Sequence, residues 1–383
     1  MIPASVERWI RGLSLAGVLL CFAVILLGAY TRLTNSGISC PDWPECYGHL
    51  TPIGAADSAS AQARYPGRPL NVDDAWHEMI HRYVAGTLGV LILLITALAI
   101  ASRGRIVGSA YALVLFATVM VQAVLGMFTV TWLLKPPIVT LHLLFGMTTL
   151  GLLWWMWLTL QRDASASSRP PPAPAAAALR LAYRLSLIGL AVLAVQFFLG
   201  AWTSANYAQY ACPDFPTCQG HWWPPHMDFR DAFVLWRSLW VDFQGGILPN
   251  AARVAIHFTH RLGALAVTVV LGGACGYTIS RRSLAAARPY AYAVLAALIL
   301  QLAIGITMVL RSFPLVLTTA HTAGAALGGT AGGVQGAGDL RVGELRPAQV
   351  VVLGVEPDAR AGCDTAAAAG ALVRRGARHR LDR

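Results

Sequence analysis

Long apolar runs, separated by short basic or polar stretches, dominate the pattern of this chain. Seven of them reach the roughly 20 residues that a helix needs to cross a bilayer: 11–31, 79–101, 107–131, 138–160, 181–204, 253–279 and 289–311. An eighth, weaker run opens near Pro314. The first has too long an apolar stretch for a cleavable signal peptide, and no small-residue cleavage site follows it. The pattern predicts an all-α integral membrane protein, built as two tandem four-helix transmembrane bundles related by pseudo-twofold symmetry, with the eighth helix weak or truncated.

Composition agrees with that reading. Of 383 residues 56% are hydrophobic and 12% charged, with mean hydropathy +0.57, whereas soluble domains carry about 25% charged residues. The net charge of +11 would invite a nucleic-acid partner, but the arginines lie between the apolar runs. Arg8 and Arg11 precede the first span, and Arg103 and Arg105 follow the second. Arg162, Arg169 and Arg180 follow the fourth, and Arg281, Arg282 and Arg288 the sixth. Basic residues in short loops mark the cytoplasmic side and attract anionic lipid. The expected setting is a bacterial inner (plasma) membrane, with the N-terminus cytoplasmic, lipid as the surroundings and no nucleic acid. The loops 32–77 and 205–252 are then periplasmic, where disulfides persist.

The chain repeats itself. LGAYT (27–31) matches LGAWT (199–203) at an offset of 172, and Cys40, Cys46, His49 and Pro52 match Cys212, Cys218, His221 and Pro224 at the same offset. Further on the offset is 179: His81-Arg82 matches His260-Arg261, Gln122 and Gly126 match Gln301 and Gly305, and His142 matches His321. An even number of spans per copy makes this a parallel repeat. The predicted organisation is an N-terminal unit (1–162), a Pro/Ala-rich cytoplasmic linker (163–179), a C-terminal unit (180–330) and an atypical tail (331–383).

Each unit carries one His near the start of its second span (His81, His260) and one near the start of its fourth (His142, His321). Both spans begin on the same side of the membrane, so each pair lies at one depth. Two neutral imidazoles facing across a helix bundle are the donor set for bis-His ligation of heme iron. Arg82 and Arg261, next to the ligands, are candidates for heme propionates or for simple snorkelling to the interface. The copies differ at one position: Glu78 stands three residues before His81, and His257 three before His260. That spacing puts both side chains on one helical face. A carboxylate at one site only is a candidate general base or stabiliser of a developing cation.

Cys21 and Cys275 lie within spans and read as packing residues. Each of the pairs Cys40/Cys46 and Cys212/Cys218 encloses five residues, two of them proline. A disulfide within each loop, a cross-loop bond such as Cys40 to Cys212, and a four-cysteine zinc site all fit the count, although an oxidising compartment disfavours zinc.

Together TRLTNSGISCPDWPECYG, EMIHRYVAGTLG, CPDFPTCQGHWWP, DFQGGILPNAARVAIHFTHRLGA and HTAGAALG resemble heme A synthase, in its bacterial form with a cysteine pair in each half. The resemblance covers roughly residues 10–328. It implies an oxidoreductase that converts the C8 methyl of heme O to a formyl group by successive hydroxylations, with water as the oxygen source, to supply heme A to terminal oxidases. It further implies substrate heme on His81 and His142 with Glu78 essential, and a resident heme b cofactor on His260 and His321. The disulfides would be Cys40–Cys46 and Cys212–Cys218, the first of them redox-active or structural. Heme O synthase and oxidase assembly factors become expected partners, with a homo-oligomer as a further option. A non-catalytic heme carrier and a di-heme electron-transfer cytochrome b are the competing readings. A carrier has no need of Glu78, and electron relay across the membrane favours hemes at different depths.

The chain departs from a good span after His321, where six glycines fall between Gly324 and Gly336. Each costs about 1 kcal/mol relative to Ala inside a helix. The Arg-, Ala- and Gly-rich tail that follows, with Cys363, reads as either a frameshifted sequence or a native disordered extension.

Overall fold

The computed structural model describes residues 4–161, 173–239 and 241–342. Eleven α-helices run through them: α1 (Ala4–Leu33), α2 (Pro52–Ala56), α3 (Ala59–Ala63), α4 (Val72–Ala101), α5 (Ser109–Thr131), α6 (Pro136–Leu160), α7 (Ala173–Ala205), α8 (Phe229–Ala232), α9 (Asn250–Ser280), α10 (Arg288–Leu310) and α11 (Leu315–Val342). Seven of them, α1, α4, α5, α6, α7, α9 and α10, are long and apolar enough to cross a membrane. Among the described residues there is no strand, only two isolated bridges. The protein is an all-α, multi-pass integral membrane protein.

Local chemistry explains where the helices begin. Asn71 caps α4 by accepting from the backbone N–H groups of Asp73 (3.1 Å) and Asp74 (3.4 Å), and both acids favour the positive end of the helix dipole. The helix therefore starts seven residues before its apolar run, and this polar first stretch carries Glu78, three residues before His81. Prolines at the first helical positions open α6 and α10. Helix α7 begins at Ala173, inside the stretch expected to be linker. The alanines of 175–178 explain this, since alanine has the strongest helix propensity. Residues 163–172 of that stretch lie outside the described residues. Helix α11 carries the glycine-rich segment as helical backbone to Val342 but is not apolar enough to join the seven spans. The rest of the tail, and with it the frameshift reading, lies outside the described residues.

The helices pack as two matching rings. In the first, α1 packs on α4, α4 on α5, α5 on α6 and α6 back on α1; in the second, α7, α9, α10 and α11 follow the same order. The rings meet through α1 and α6 against α7 and α11. At the seam, repeat-equivalent residues touch one another, as expected of an isologous contact about a twofold axis. Arg32 donates to the carbonyl of Ser204 (2.6 Å), and the Tyr207 hydroxyl donates to Asn35 (3.0 Å). A second tie runs from Lys135, which is 1% exposed. It donates to the carbonyl of Arg237 (2.7 Å) and lies 3.8 Å from the centroid of the Trp236 ring. Without these partners a buried ammonium would be costly.

Both cysteine loops are built alike. Cys46 pairs with His49, and Cys218 with His221, each through two backbone hydrogen bonds of 2.8–3.1 Å. The two residues between them have positive φ: Tyr47 (55°) and Gly48 (76°), Gln219 (54°) and Gly220 (77°). This is the two-residue turn whose twist suits a hairpin, and it places glycine where a side chain would be strained. Asp42 accepts from the N–H groups of Tyr47 (2.7 Å) and Gly48 (2.6 Å), and Asp214 from those of Gln219 (2.6 Å) and Gly220 (2.9 Å). Each loop is closed on itself by a disulfide, Cys40–Cys46 and Cys212–Cys218, so neither the cross-loop bond nor the four-cysteine zinc site is formed. Cys21 and Cys275 lie outside both disulfides and are buried.

Candidate functional site

The first ring brings His81 of α4 and His142 of α6 together, with ring centroids 6.5 Å apart and planes at 73°. Each ring lies against a glycine of a neighbouring helix. A Cβ on Gly28 (α1) would stand 3.0 Å from His81 Cε1, and one on Gly126 (α5) 3.2 Å from His142 Cε1. The second ring repeats the arrangement. His260 of α9 and His321 of α11 lie within electrostatic reach of each other. A Cβ on Gly200 (α7) would be 3.1 Å from His260 Cε1, and one on Gly305 (α10) 3.0 Å from His321 Cε1. Four histidines thus sit in four glycine-lined seats. The glycines were visible in the sequence as repeat markers, in LGAYT/LGAWT and in the Gln122/Gly126 and Gln301/Gly305 pairs. Their purpose required the neighbouring helix.

The geometry of the first pair fits one iron between two imidazoles. Two imidazoles in line, each about 2.0–2.1 Å from a shared metal, hold their centroids about 6.3–6.5 Å apart. His81 Nδ1 and His142 Nδ1 are buried, and the backbone of Val24 and of Gln122 lies within hydrogen-bonding reach of the respective ring. Among the described residues there is no cluster of three or more His, Cys, Asp or Glu that could hold a bare metal ion. The donor set is two imidazoles per site, as suits a metal that brings its own equatorial ligands.

Glu78 is 4% exposed, so it is not the water-facing carboxylate that an interfacial position could have made it. Its Oε2 accepts from the backbone N–H of Cys40 (2.9 Å), and its Oε1 from Arg82 Nη2 (2.5 Å). Cys40 is one end of the disulfide, so carboxylate, disulfide and histidine pair are mechanically linked. Arg82 also donates to the carbonyls of Pro44 (3.2 Å) and Glu45 (2.6 Å). In the second ring Arg261 donates to the carbonyls of Thr217 (2.7 Å), Asp214 (2.8 Å) and Cys212 (3.0 Å). Both arginines fasten a cysteine loop to the helix that bears the neighbouring histidine, a task their position in sequence did not disclose. At the place of Glu78 the second ring has His257, which is buried, edge-on to Phe313 and within hydrogen-bonding reach of the Ala208 backbone.

Asp214 lies outside the spans. Desolvation pushes its carboxyl up, but hydrogen bonds from the Thr217 hydroxyl and the N–H groups of Gly220 and Gln219 outweigh this and hold it below the ordinary value.

Two four-helix rings, each with a histidine pair beside a disulfide-closed loop, define a multi-pass membrane protein with two bis-imidazole sites of unequal surroundings. The family described as cytochrome oxidase assembly protein (COX15-CtaA) matches residues 11–329, and the chain belongs to that family. It is similar to the heme A synthase of Shewanella oneidensis, with 36% identity over 322 residues, 83% of this chain and 92% of that protein. The heme A synthases of Rickettsia akari (26% over 346 residues, 84% and 94%) and Rhizorhabdus wittichii (24% over 345 residues, 85% and 91%) are also similar over most of both chains.

Proposed function

We propose that this chain is a heme A synthase, which oxidises the C8 methyl of heme O to a formyl group for terminal oxidases. The observation that carries the reading is the asymmetry between two otherwise matching sites. Only the His81/His142 pair has a buried carboxylate, Glu78, one helical turn from a ligand. The first unit, 1–162, is the substrate half, and the unit 180–330 the cofactor half. His81 and His142 bind the iron of heme O and orient the macrocycle between α4 and α6. The net change is methyl plus water to formyl, four protons and four electrons, the electrons leaving one at a time to an external acceptor. Water supplies the oxygen in two hydroxylations, and loss of water from the resulting diol leaves the aldehyde.

Glu78 receives the proton of the attacking water or balances positive charge developing at the methyl carbon. Its two fixed hydrogen bonds aim the carboxylate before reaction, and burial strengthens that field. Arg82 holds the carboxylate in place and fastens the Cys40–Cys46 loop as a cover that limits water. The resident cofactor is a heme b on His260 and His321, which supplies one-electron transfer when bound. Arg82 and Arg261, already at the loop edge, are the groups nearest to hand for propionates. The protein works in a bacterial inner membrane with its N-terminus cytoplasmic and both cysteine loops periplasmic. Heme O synthase and oxidase assembly factors are its expected partners, with a homo-oligomer as a further option.

The test is co-expression with a heme O source and chromatography of extracted hemes. Wild type yields heme A, and Glu78→Gln yields hemes B and O only while retaining the second-half heme. Absence of heme A from wild type under these conditions would sink the enzyme reading and leave a heme carrier.

A further inference from the structure

Between α8 and α9 the chain belongs to the second unit by sequence, yet residues 233–239 and 241–249 run as a strap whose contacts are largely with the first. Arg237 fastens one end at home, donating to the Asp231 carboxylate (2.6 Å) and carbonyl (2.7 Å). The other contacts cross over. Lys135 donates to the Arg237 carbonyl, and the rings of Trp132 and Trp236 meet edge-on at 5.8 Å. The Phe243 N–H donates to the Leu133 carbonyl (3.1 Å), and Gln244 Nε2 to the Asn35 carbonyl (2.8 Å). Phe243 itself is 1% exposed and forms one apolar cluster with Ile38, Leu134 and Val139. The strap then turns back through Gly245 and Gly246, at φ of 80° and 82°. A Cβ on Gly246 would stand 3.0 Å from Tyr207 Cβ and 3.1 Å from the Asn206 carbonyl, so the return passes close over the seam. These contacts account for the DFQGG stretch, which the histidine sites leave unused.

The two places that the strap holds are those that position the reacting groups. Residues 133–135 form the turn into α6, and Val139 stands one helical turn before His142. Asn35 and Ile38 lead into Cys40, whose N–H holds Glu78 Oε2 at 2.9 Å. One buried side chain therefore sets the spacing between the start of a ligand helix and the segment that aims the carboxylate, because close packing leaves neither room to slide. The second unit has no such clamp at the matching corner. Tyr210 stands for Ile38 at offset 172, and Phe313 for Leu134 at offset 179. Their rings also meet, at 5.1 Å, but Tyr210 is 59% exposed whereas Ile38 and Leu134 are buried. The first unit's own stretch 64–71, which leads into α4, stays at home: the Tyr47 hydroxyl donates to the Arg68 carbonyl (2.8 Å), and Tyr65 lies edge-on to Tyr47 at 5.4 Å.

We propose that Phe243, contributed by the second unit, is a positioning residue for the first: it holds the start of α6 and the segment 35–40 at the spacing that lets His142 and Glu78 serve one substrate. Gln244 holds the same segment from the surface. The resident half thereby completes the substrate site. The inference rests on the reading of the His81/His142 site as the substrate site.

The test is Phe243→Ala in the full chain, co-expressed with a heme O source and also purified and loaded with heme O. Heme A formation falls about 100-fold, as for a misplacement of about 1 Å far from the chemistry. The low-spin ferric resonance of heme at the first pair, recognised by its absence from His142→Ala, shifts. The second-half heme keeps its ratio to protein and its own resonance, although Phe243 belongs to that half in sequence. Phe243→Leu refills the apolar volume and restores most of both losses. Gln244→Ala removes only an exposed bond, so folding is spared, and lowers heme A formation about fivefold, the worth of one hydrogen bond. Wild-type heme A formation and an unmoved first-pair resonance in Phe243→Ala and Gln244→Ala would overturn the proposal, as would loss of the second-half heme with the first pair unmoved. A wild type that makes no heme A removes the substrate reading instead, and the first-pair resonance then still decides whether Phe243 positions that site.

Discussion

Gly305→Ala adds one methyl group in the least tolerant place. The new Cβ would stand 3.0 Å from His321 Cε1, whereas ordinary contact begins at 3.4 Å, so the ring must give by a few tenths of an ångström. Metal–ligand distances tolerate only about 0.2 Å, so the ring cannot absorb the shift and still hold the iron. A loss of about 10–100-fold in heme affinity follows, as for other changes beside a metal ligand, or about 1.4–2.8 kcal/mol. The same substitution favours the α10 helix by about 1 kcal/mol, because alanine replaces glycine in a helix interior. Heme binding and helix stability are thus pushed in opposite directions, which separates a site effect from a folding defect. The assay is the heme-to-protein ratio of purified protein together with its thermal melt by circular dichroism, compared in the heme-free form. The closeness of each new Cβ to its imidazole also sets a rank order for the other seats: Gly28 at 3.0 Å is as severe as Gly305, Gly200 at 3.1 Å is milder, and Gly126 at 3.2 Å is the mildest. A wild-type heme ratio and six-coordinate low-spin spectrum in Gly305→Ala would refute the reasoning.

Further outcomes follow from the same contacts. Glu78→Gln keeps the shape and an acceptor for the Cys40 N–H but removes the charge; heme A formation falls at least about 100-fold, measured by chromatography of extracted hemes. Arg261→Ala strips three loop carbonyls of their shared donor and weakens the hold on the Cys212–Cys218 loop by about 1.5–3 kcal/mol; limited proteolysis should cut that loop faster, and wild-type resistance would count against the staple. Lys135→Met keeps the apolar stem and loses the bond to the Arg237 carbonyl and the contact with Trp236; thermal stability drops by about 1–2 kcal/mol, read from the melting curve. Asp214 has a folded-state value below its ordinary 3.8. Its contribution is therefore complete above that pH and is lost as pH falls through the lower folded value; Asp214→Asn should abolish this acid-side dependence of loop protection in hydrogen exchange.

The spans were legible because the bilayer imposes one rule, an apolar stretch of fixed length, and composition alone reports it. Duplication made the histidines legible, since two offsets aligned four of them in two pairs and exposed Glu78 as the odd member. Other features could not be read in this way. That Arg82 and Arg261 also donate to loop carbonyls 37 to 49 positions away in sequence was not legible, because a hydrogen bond depends on where the chain returns rather than on its local pattern. The start of α4 was placed late because its first turns are polar and helical for capping reasons, not for hydrophobic ones.

Membrane class, seven strong spans, the tandem repeat and the four histidines are properties of the sequence by itself, since each rests on residue type and spacing. Tertiary structure decided which cysteines join, that Glu78 is buried against Cys40 and Arg82, and that four glycines make room for four imidazoles. Those are contacts between helices far apart in the chain. Steric clearance of a few tenths of an ångström and the direction of a hydrogen bond are settled only when the helices are packed.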